Sequence, residues 1–216
     1  MNKNDLKLYA ITDRQWLRGE RLSEHVKLAI EGGATMIQIR DKDILSTDSD
    51  ARLKDEYNEA LEIKRICHEH KVPLIINDNV QFAIDIDADG VHLGQDDMNP
   101  AEARKLLGTD KIIGVTAKTV EQAKKAQADG ADYLGSGAVF GSTTKLNAKP
   151  MTKELLREIT AAVDIPVVAI GGINADNAST LKGTGIAGIA VVGAIFASAD
   201  IKAAARKLAE ICDNML

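Results

Sequence analysis

Pro166-Val-Val-Ala-Ile170, followed by Gly-Gly-Ile173, is the stretch from which the fold can be worked out. Its side chains are apolar on consecutive residues, and Pro73-Leu-Ile-Ile76 has the same character. A strand covered on one face alternates apolar and polar residues, whereas a strand covered on both faces is apolar throughout. These runs therefore predict strands of a parallel sheet that is covered on both faces.

Short apolar runs and helix-period stretches alternate eight times along the chain. The predicted strands are Leu8–Thr12, Thr35–Arg40, Pro73–Asn77, Gly90–Leu93, Lys111–Thr116, Tyr133–Gly135, Pro166–Ile170 and Gly188–Val192. The predicted helices lie near residues 23–31, 50–70, 79–85, 100–107, 119–128, 152–162, 176–183 and 200–213. This α/β pattern without a composition break predicts a (β/α)8 TIM barrel in one domain, residues 1–216. An open doubly wound sheet is the alternative, disfavoured because no G-x-G-x-x-G motif follows the first strand.

Composition narrows the class of protein. Hydrophobic residues make up 45% of the 216 residues and aromatic residues only 3%, so the core must be aliphatic. The formal charge of −5 gives no support for a nucleic-acid partner, and an anionic substrate would need local positive charge or a metal ion. Cys67 and Cys212 lie in separate helical patterns, which indicates buried apolar residues, not a redox pair or a zinc site. Because no signal-peptide core or membrane-length apolar run occurs, we expect a soluble cytoplasmic protein without a membrane partner; homo-oligomer formation is left open.

A barrel places its chemistry at the C-terminal ends of its strands, with phosphate often held after strands seven and eight. The second strand ends in Gln38-Ile-Arg-Asp-Lys42. Alternation puts Gln38, Arg40 and Lys42 on one side, with Ile39 on the other. Buried cations need partners, so this pattern favours a clamp for a highly charged anion such as a diphosphate. The alternative is a structural ion pair with an acid on a neighbouring strand.

Acidic residues follow the third and fourth strands, at Asn77-Asp78 and Gly94-Gln-Asp-Asp97. These strands are neighbours in a barrel, so carboxylates from both could converge. Carboxylate oxygens near a diphosphate are ligands that Mg²⁺ prefers, with phosphate and water completing its coordination. The alternative is helix capping, which suits Asp78 better than Asp97 because Asn99-Pro100 already supplies a cap and a first helical proline. Local sequence does not distinguish the two consecutive aspartates of the second motif.

The remaining strand ends carry weaker signals. His92 lies within the fourth strand and is interpreted as a packed, hydrogen-bonded residue, not a catalyst. Thr116 places a hydroxyl at the end of the fifth strand. The seventh and eighth strands end in Ala169-Ile-Gly-Gly-Ile173 and Val191-Val-Gly-Ala-Ile195, whose glycines let backbone N–H groups approach an anion. The loop Gly137–Lys145 has hydroxyl side chains and a lysine suited to phosphate, although a plain surface connection has a similar composition.

Taken together, these motifs resemble the thiamine phosphate synthase family. The resemblance extends from Tyr9-Ala-Ile-Thr-Asp13 to Val192-Gly-Ala-Ile195, with order and spacing in agreement. The motifs that carry it are Gln38-Ile-Arg-Asp-Lys42, Asn77-Asp78, Gly90-Val-His-Leu-Gly-Gln-Asp-Asp97, Gly114-Val-Thr116, Thr143-Thr-Lys145 and Ile170-Gly-Gly-Ile173. The resemblance implies a (β/α)8 barrel that joins an aminopyrimidine, hydroxymethylpyrimidine diphosphate, to a thiazole phosphate and releases diphosphate.

The resemblance also implies a role for each matching residue. Residues implied to bind the pyrimidine diphosphate are Gln38, Ile39, Arg40, Asp41, Lys42, Asn77, Thr116 and Lys145. Residues implied to bind the thiazole phosphate are Ser142, Thr143, Thr144, Gly172, Val192 and Gly193. Asp78 and Asp97 would bind Mg²⁺, the implied cofactor, and Arg40, Lys42 and Lys145 would act in catalysis.

The implied reaction is a dissociative substitution, in which diphosphate leaves, a pyrimidine methyl cation forms and the thiazole nitrogen captures it. Mg²⁺ and the three cations would neutralise charge that builds on the leaving group. Two alternatives stay open: a thiazole tautomerase-like barrel, and a barrel that binds a phosphate ligand without catalysis. The tautomerase needs no diphosphate clamp, so the cations of the second strand, Asn77-Asp78 and Lys145 argue against it.

Several positions depart from the commonest pattern of the family. Asp41, Thr116 and Ser142 replace residues that carry the same functional group, so little consequence is expected. Ala138 stands where proline is frequent, and Gly193 where serine is frequent. The second change leaves only backbone donors at that position, so affinity for the thiazole phosphate is the property it affects.

Overall fold

The computed structural model describes residues 1–41, 50–141 and 151–216. Within these residues, parallel strands close into a barrel in the order β1 to β8, and β8 pairs with β1. The strands are β1 (Leu8–Ile11), β2 (Met36–Ile39), β3 (Leu74–Asn77), β4 (Gly90–Leu93), β5 (Ile112–Thr116), β6 (Tyr133–Gly137), β7 (Val167–Ile170) and β8 (Gly188–Val191). The closed parallel barrel confirms the predicted (β/α)8 fold.

Helices alternate with the strands and cover the outside of the barrel. The α-helices are α1 (Leu22–Glu31), α2 (Asp50–Glu69), α3 (Val80–Asp85), α4 (Pro100–Leu107), α5 (Val120–Ala128), α6 (Lys153–Ala161), α7 (Gly193–Phe196) and α8 (Ile201–Met215). The 3-10 helices are Lys3–Leu6, Arg14–Trp16 and Ala178–Leu181. Helix α4 begins as its sequence predicts, because Asn99 Oδ1 accepts a hydrogen bond from Ala101 N at 2.8 Å and Pro100 is the first helical residue.

Strand side chains alternate between two apolar layers. The outer layer lies between the strands and the helices, is largely aliphatic, and includes Leu8, Ile37 and Leu134. The inner layer fills the barrel with Leu6, Tyr9, Ile11, Met36, Ile75, Ile112, Tyr133, Val168, Ala187 and Ala190. This two-sided burial explains why the strands are apolar on consecutive residues.

The short helix α7 was not predicted from the sequence. The predicted eighth strand, Gly188–Val192, agrees with β8 to within one residue, but the residues after it form the helical turn Gly193–Phe196. Phe196 N donates to Val192 O at 3.1 Å, which closes a helical turn. A short apolar run fits either a strand or a buried helix, and periodicity does not separate the two. The helix predicted near residues 176–183 is likewise reduced to the 3-10 turn Ala178–Leu181.

Both cysteines are free and buried, which confirms their interpretation as core residues. Burial raises the pKa of the Cys67 thiol to about 12, and that of Cys212 to about 12 as well. Both thiols therefore stay protonated near neutral pH and are weak nucleophiles. In the part of the chain that the structure describes, no helix is long and apolar enough to cross a membrane.

Candidate functional site

A cavity of about 410 Å³ opens at the C-terminal ends of the strands. One side of its wall carries Arg40, Asn77 and Thr116, from the ends of β2, β3 and β5. The other side carries Gly172 and Gly193, which follow β7 and β8. The cavity has the size of a small-molecule pocket and lies at the end of the barrel where TIM-barrel enzymes have their active sites. The structure thus brings several residues singled out in the sequence to one place.

Arg40 stands at the end of β2, on the same side as Gln38, and both line the cavity. Arg40 N donates to Thr12 Oγ1 at 3.1 Å, which ties the residue to the end of β1. Its Nη1 lies 4.0 Å from Asp13 Oδ2, so an acid on the neighbouring strand is close, as the ion-pair alternative requires. A contact at that distance is loose, and the guanidinium still faces the cavity where an anion would bind.

The other two described residues of this motif point elsewhere. The Ile39 side chain is buried in the outer layer, on the opposite side of the strand from Gln38. The Asp41 carboxylate forms an ion pair with Arg14, which also pairs with Glu59 at 2.9 Å. Burial alone would lower the pKa of Arg14, but the hydrogen bonds to the two acids outweigh it and raise that pKa. Neither side chain lines the cavity, so Asp41 serves a buried ion-pair network beside it.

Strand β3 ends at Asn77, which lines the cavity, and Asp78 follows it; neither Asp78 nor Asp97 is among the residues that line the cavity. Asn77 Nδ2 donates to Asp78 Oδ2 at 2.6 Å, and Asp78 N donates to His92 O at 2.8 Å. Asp78 has φ 61°, a left-handed conformation that aspartate tolerates better than most residues. The interpretation of Asp78 as a helix cap is wrong, because Asn79 caps α3 and accepts from Phe82 N at 2.9 Å. The local reason is that the cap position falls one residue later than expected.

Asp97 lies in the loop after β4, and its Oδ2 accepts from Gly94 N at 2.6 Å. Cap formation at α4 belongs to Asn99, as the sequence predicts. The Asp78 backbone is thus bonded to His92, and the Asp97 carboxylate is bonded to Gly94. His92 and Gly94 are two residues apart along the chain. Carboxylates at neighbouring strand ends are the oxygen donors that suit Mg²⁺. Among the described residues no group of three His, Cys, Asp or Glu side chains could hold a metal, so substrate and water would have to supply the other ligands.

Two consecutive glycines form the far wall of the cavity. Gly171 and Gly172 have φ values of 103° and 64°, in the region that favours glycine. A Cβ on Gly171 would come within 2.4 Å of the Ala138 Cβ, and one on Gly172 within 2.7 Å of Phe140 O. Side chains are therefore excluded at both positions by conformation and by space. The backbone itself faces whatever the cavity holds.

Val192 and Gly193 also line the cavity, at the junction of β8 and α7. The placement of these two residues beside Gly172 agrees with a shared anion-binding edge. Five residues from the predicted set lie outside the described part of the chain: Lys42, Ser142, Thr143, Thr144 and Lys145.

Below the cavity, polar side chains form one connected series of hydrogen bonds. Gln38 Nε2 donates to Tyr9 Oη at 2.5 Å, and Tyr9 Oη lies 2.9 Å from Tyr133 Oη. Tyr133 Oη is 3.0 Å from His92 Nδ1, and His92 Nε2 is 3.0 Å from Thr116 Oγ1. We call these five residues the polar chain. The interpretation of His92 as a packed, hydrogen-bonded residue agrees with its two ring contacts, although the residue also lines the cavity.

The two tyrosines of the polar chain stay protonated. Burial raises the pKa of Tyr9 above its usual value, and the hydrogen bonds that Tyr9 shares with Tyr133 and Gln38 only partly offset that effect. Burial likewise raises the pKa of Tyr133. Each hydroxyl therefore has one hydrogen to donate at any physiological pH.

Sequence reasoning missed three residues at or below the cavity. Tyr9 and Tyr133 are two of the few aromatic residues, and each occupies an inner-layer position of its strand. Lys118 lines the cavity two residues after Thr116, on the continuation of β5. The signal for Lys118 was present, because a cation just beyond a strand end is the pattern already noted after β2. The tyrosines gave no such signal, since a buried tyrosine is ordinarily a core residue.

Comparison with known proteins gives a consistent result. The family model described as thiamine monophosphate synthase matches residues 8–195. The chain is 49% identical over 213 residues to the thiamine-phosphate synthase of Ruminiclostridium cellulolyticum, covering 99% of this chain and 98% of that protein. It is 47% identical to the thiamine-phosphate synthase of Clostridium tetani, with 96% of each chain covered.

A solved structure agrees with the same family. The thiamine phosphate pyrophosphorylase from Pyrococcus furiosus superposes with a TM-score of 0.87 at 39% sequence identity. The match covers 99% of this chain and 98% of that one, so the likeness extends over the whole barrel.

Proposed function

The chain belongs to the thiamine monophosphate synthase family, a family of transferases in thiamine biosynthesis, and we propose that it condenses hydroxymethylpyrimidine diphosphate with thiazole phosphate in a Mg²⁺-dependent reaction. The observation that carries the proposal is a cavity whose two edges both offer groups suited to an anion. One edge presents the Arg40 guanidinium and the Asn77 amide, and the other presents the backbone of Gly172 and Gly193.

The two edges suit the two substrates of the proposed reaction. A diphosphate carries several charges and needs cationic donors, which the edge with Arg40 and Lys118 supplies. A phosphate monoester can be held by backbone N–H groups at glycine turns, as at the edge after β7 and β8. Binding both in one cavity would hold the reacting atoms together and lower the entropic part of the barrier.

The proposed chemistry requires no protein nucleophile. The bond between the pyrimidine methylene carbon and the diphosphate oxygen breaks, and both electrons leave with the diphosphate. The thiazole nitrogen then uses its lone pair to form the new carbon–nitrogen bond. Arg40, together with Lys42 and Lys145 by family resemblance, would stabilise negative charge on the departing diphosphate.

Mg²⁺ is part of the proposal as the cofactor. Asp78 and Asp97 would hold it, because Asp78 is bonded through its backbone N–H to His92 O and the Asp97 carboxylate accepts from Gly94 N, so both residues follow the ends of neighbouring strands. When bound, such an ion neutralises charge on a diphosphate leaving group. The assigned protein roles are otherwise those of binding and orienting the two substrates.

The test is diphosphate release by the purified protein with both substrates and Mg²⁺ present. We expect release to stop when either substrate is omitted, and when EDTA removes the metal. Release that continues without Mg²⁺, or no release at all, contradicts the proposal. Rearrangement of the thiazole phosphate alone, without diphosphate formation, would identify a tautomerase-like barrel instead. Cytoplasmic location stays a prediction, and homo-oligomer formation stays open.

A further inference from the structure

The polar chain crosses the inside of the barrel and links residues from five strands. Gln38 lies on β2, Tyr9 on β1, Tyr133 on β6, His92 on β4 and Thr116 on β5. Four contacts of 2.5 to 3.0 Å join them in series. Four of the five residues line the cavity, and Tyr133 lies beneath it as the link between the two halves. The two ends of the polar chain, Gln38 and Thr116, are thus connected by hydrogen bonds through the residues between them, which a ligand need not contact.

Glycines on the inside of the barrel make room for this chain. Gly114 is paired in register with Tyr133, and a Cβ there would lie 2.1 Å from the tyrosine Cζ and 2.3 Å from its Oη. A Cβ on Gly135 would lie 3.0 Å from His92 Cε1. Since most inner-layer positions carry larger side chains, these two gaps are matched to the rings that fill them.

The hydrogens of the chain can be assigned in series. Tyr9 Oη accepts from Gln38 Nε2, so its own hydrogen must find an acceptor, and Tyr133 Oη is the atom in reach. The Tyr133 hydrogen then points to His92 Nδ1, which leaves the ring proton on Nε2 to donate to Thr116 Oγ1. The opposite arrangement has Tyr133 donating to Tyr9. With the Gln38 amide in this orientation, it would leave the buried Tyr9 hydroxyl hydrogen without an acceptor among the described residues.

This assignment fixes what the chain presents to a ligand. Gln38 donates an amide hydrogen to Tyr9 within the polar chain, and no described residue donates to its side-chain carbonyl oxygen Oε1. Gln38 is 2% exposed and lines the cavity, so this oxygen can accept a hydrogen bond only from a molecule bound there. Thr116, whose oxygen accepts from His92, keeps its hydroxyl hydrogen for the same purpose. The wall therefore presents one acceptor and one donor in fixed positions.

We propose that Tyr9 and Tyr133 are positioning residues that hold the Gln38 carboxamide with its oxygen towards the cavity, and so make the enzyme select a pyrimidine bearing an amino group over one bearing an oxo group. The inference rests on the proposed function for the substrate class. An exocyclic amino group donates to the Gln38 oxygen, whereas an oxo group places two acceptors against each other. A site that fixes one hydrogen-bonding partner discriminates strongly because a mismatched group is left buried and unpaired.

The experiment compares kcat and KM for two substrates, the aminopyrimidine diphosphate and its analogue with an oxo group in place of the amino group. Both are assayed by diphosphate release with thiazole phosphate and Mg²⁺. Wild type should favour the amino substrate by a hundredfold or more in kcat/KM, on the order expected for a matched buried polar group. Tyr133→Phe should reduce this preference by about tenfold, because the freed amide can turn and one buried hydrogen bond is lost. The change should appear mainly in KM for the amino substrate.

Tyr9→Phe is the second variant, and it should lower the preference in the same direction. Tyr57→Phe is the matched control, since it removes a hydroxyl that donates to Asp85 O at 3.3 Å on the surface. The control should keep the wild-type preference and both kinetic constants. Thermal unfolding of every variant separates loss of stability from loss of selectivity.

The outcomes separate this inference from the proposed function. No diphosphate release by wild type overturns the proposed function and the inference with it. An active wild type that accepts both pyrimidines equally, or prefers the oxo analogue, overturns the inference alone. The same holds if Tyr133→Phe and Tyr9→Phe lose stability yet keep the wild-type preference, because their role is then only structural.

Discussion

The two layers of the barrel use the same strands for different purposes. Tyr133 and Leu134 are consecutive residues of β6, and both are fully buried. Leu134 faces the helices within an aliphatic layer, whereas Tyr133 faces the barrel interior and hydrogen-bonds to Tyr9 and His92. Burial is therefore equal, but the outer side chain contributes only packing and the inner one is connected to the cavity. Substitutions on the two faces of one strand should accordingly change different properties.

The largest effect is expected at the rim of the inner layer, from Asp78→Asn or Asp97→Asn. Asparagine keeps the shape and tolerates the left-handed backbone at residue 78, so folding should be nearly unchanged. If these carboxylates bind the metal as proposed, losing one should reduce kcat/KM by about a thousandfold, since metal stabilisation of a leaving group contributes several kcal/mol. Steady-state diphosphate release measures this change.

Excess Mg²⁺ should restore either variant only in part, because weaker binding is one component of the defect. Asp110→Asn, at an exposed site before β5, is a suitable control and should be fully active. Full activity in both rim variants would remove the metal assignment.

In the outer layer, Leu134→Ala should lower the free energy of unfolding by about 3 kcal/mol, because it removes buried methyl groups and leaves a cavity. Urea denaturation monitored by circular dichroism gives this value. Under conditions where the variant is folded, kcat and the preference for the aminopyrimidine should match wild type. A changed pyrimidine preference in this variant would show that the two layers are not functionally separate.

Arg40→Ala should reduce kcat/KM by about thirtyfold, or ~2 kcal/mol, because it removes the charge-assisted contact proposed between Arg40 and the leaving group. Its ion pair with Asp13 is loose at 4.0 Å, so the melting temperature should shift little. Arg65→Ala, which breaks an exposed pair with Glu69, is the matched control and should retain full activity. A collapse of stability in Arg40→Ala alone would favour the structural ion-pair interpretation.

The smallest effect concerns the outer-layer thiols and pH. Cys67 has a pKa of about 12 when folded, against roughly 8.5 for an unfolded cysteine. Its stabilising contribution is therefore complete below pH 8.5 and decreases as the pH rises towards 12, because only the unfolded thiol readily loses its proton. Between pH 8 and pH 9.5, we expect wild type to lose about 1 kcal/mol more stability than Cys67→Ala does.

Alkylation provides a direct measurement for the same residue. Iodoacetamide at pH 8.5 should modify neither cysteine in the folded protein and both in urea. Rapid modification of folded protein would contradict the burial of the thiols.

The fold was predictable because its signal is local and repeated. Strands such as Leu74–Asn77 and Val167–Ile170 are apolar on consecutive residues, and helical periods separate them. Prediction missed the short helix α7, because an apolar run with a glycine is compatible with a strand end or a helical turn. The packing of α7 against α8, which is a property of the folded chain, accompanies the helical turn.

The candidate site was predictable in part, for a related reason. Residues at strand ends can be assigned to the rim from order alone, which is why Arg40, Asn77 and Gly172 meet at one cavity. The orientation of a side chain cannot be assigned in that way. Asp41 is one residue from Arg40, yet its carboxylate joins a buried pair with Arg14 instead of lining the cavity. Capping at Asn79 instead of Asp78 is a second example of the same limit.

The sequence by itself determined the succession of strands and helices, the two-sided burial of each strand, and the family. The first two properties follow from the periodicity of apolar residues along the chain, and the family from the resemblance of the motifs at the strand ends. Tertiary structure alone decided that Tyr9 and Tyr133, 124 residues apart, share a hydrogen bond that links Gln38 to His92. The physical reason is that the sheet closes into a barrel. Strand register and the space left at glycines then decide which side chains meet inside it, and neither is visible in local sequence.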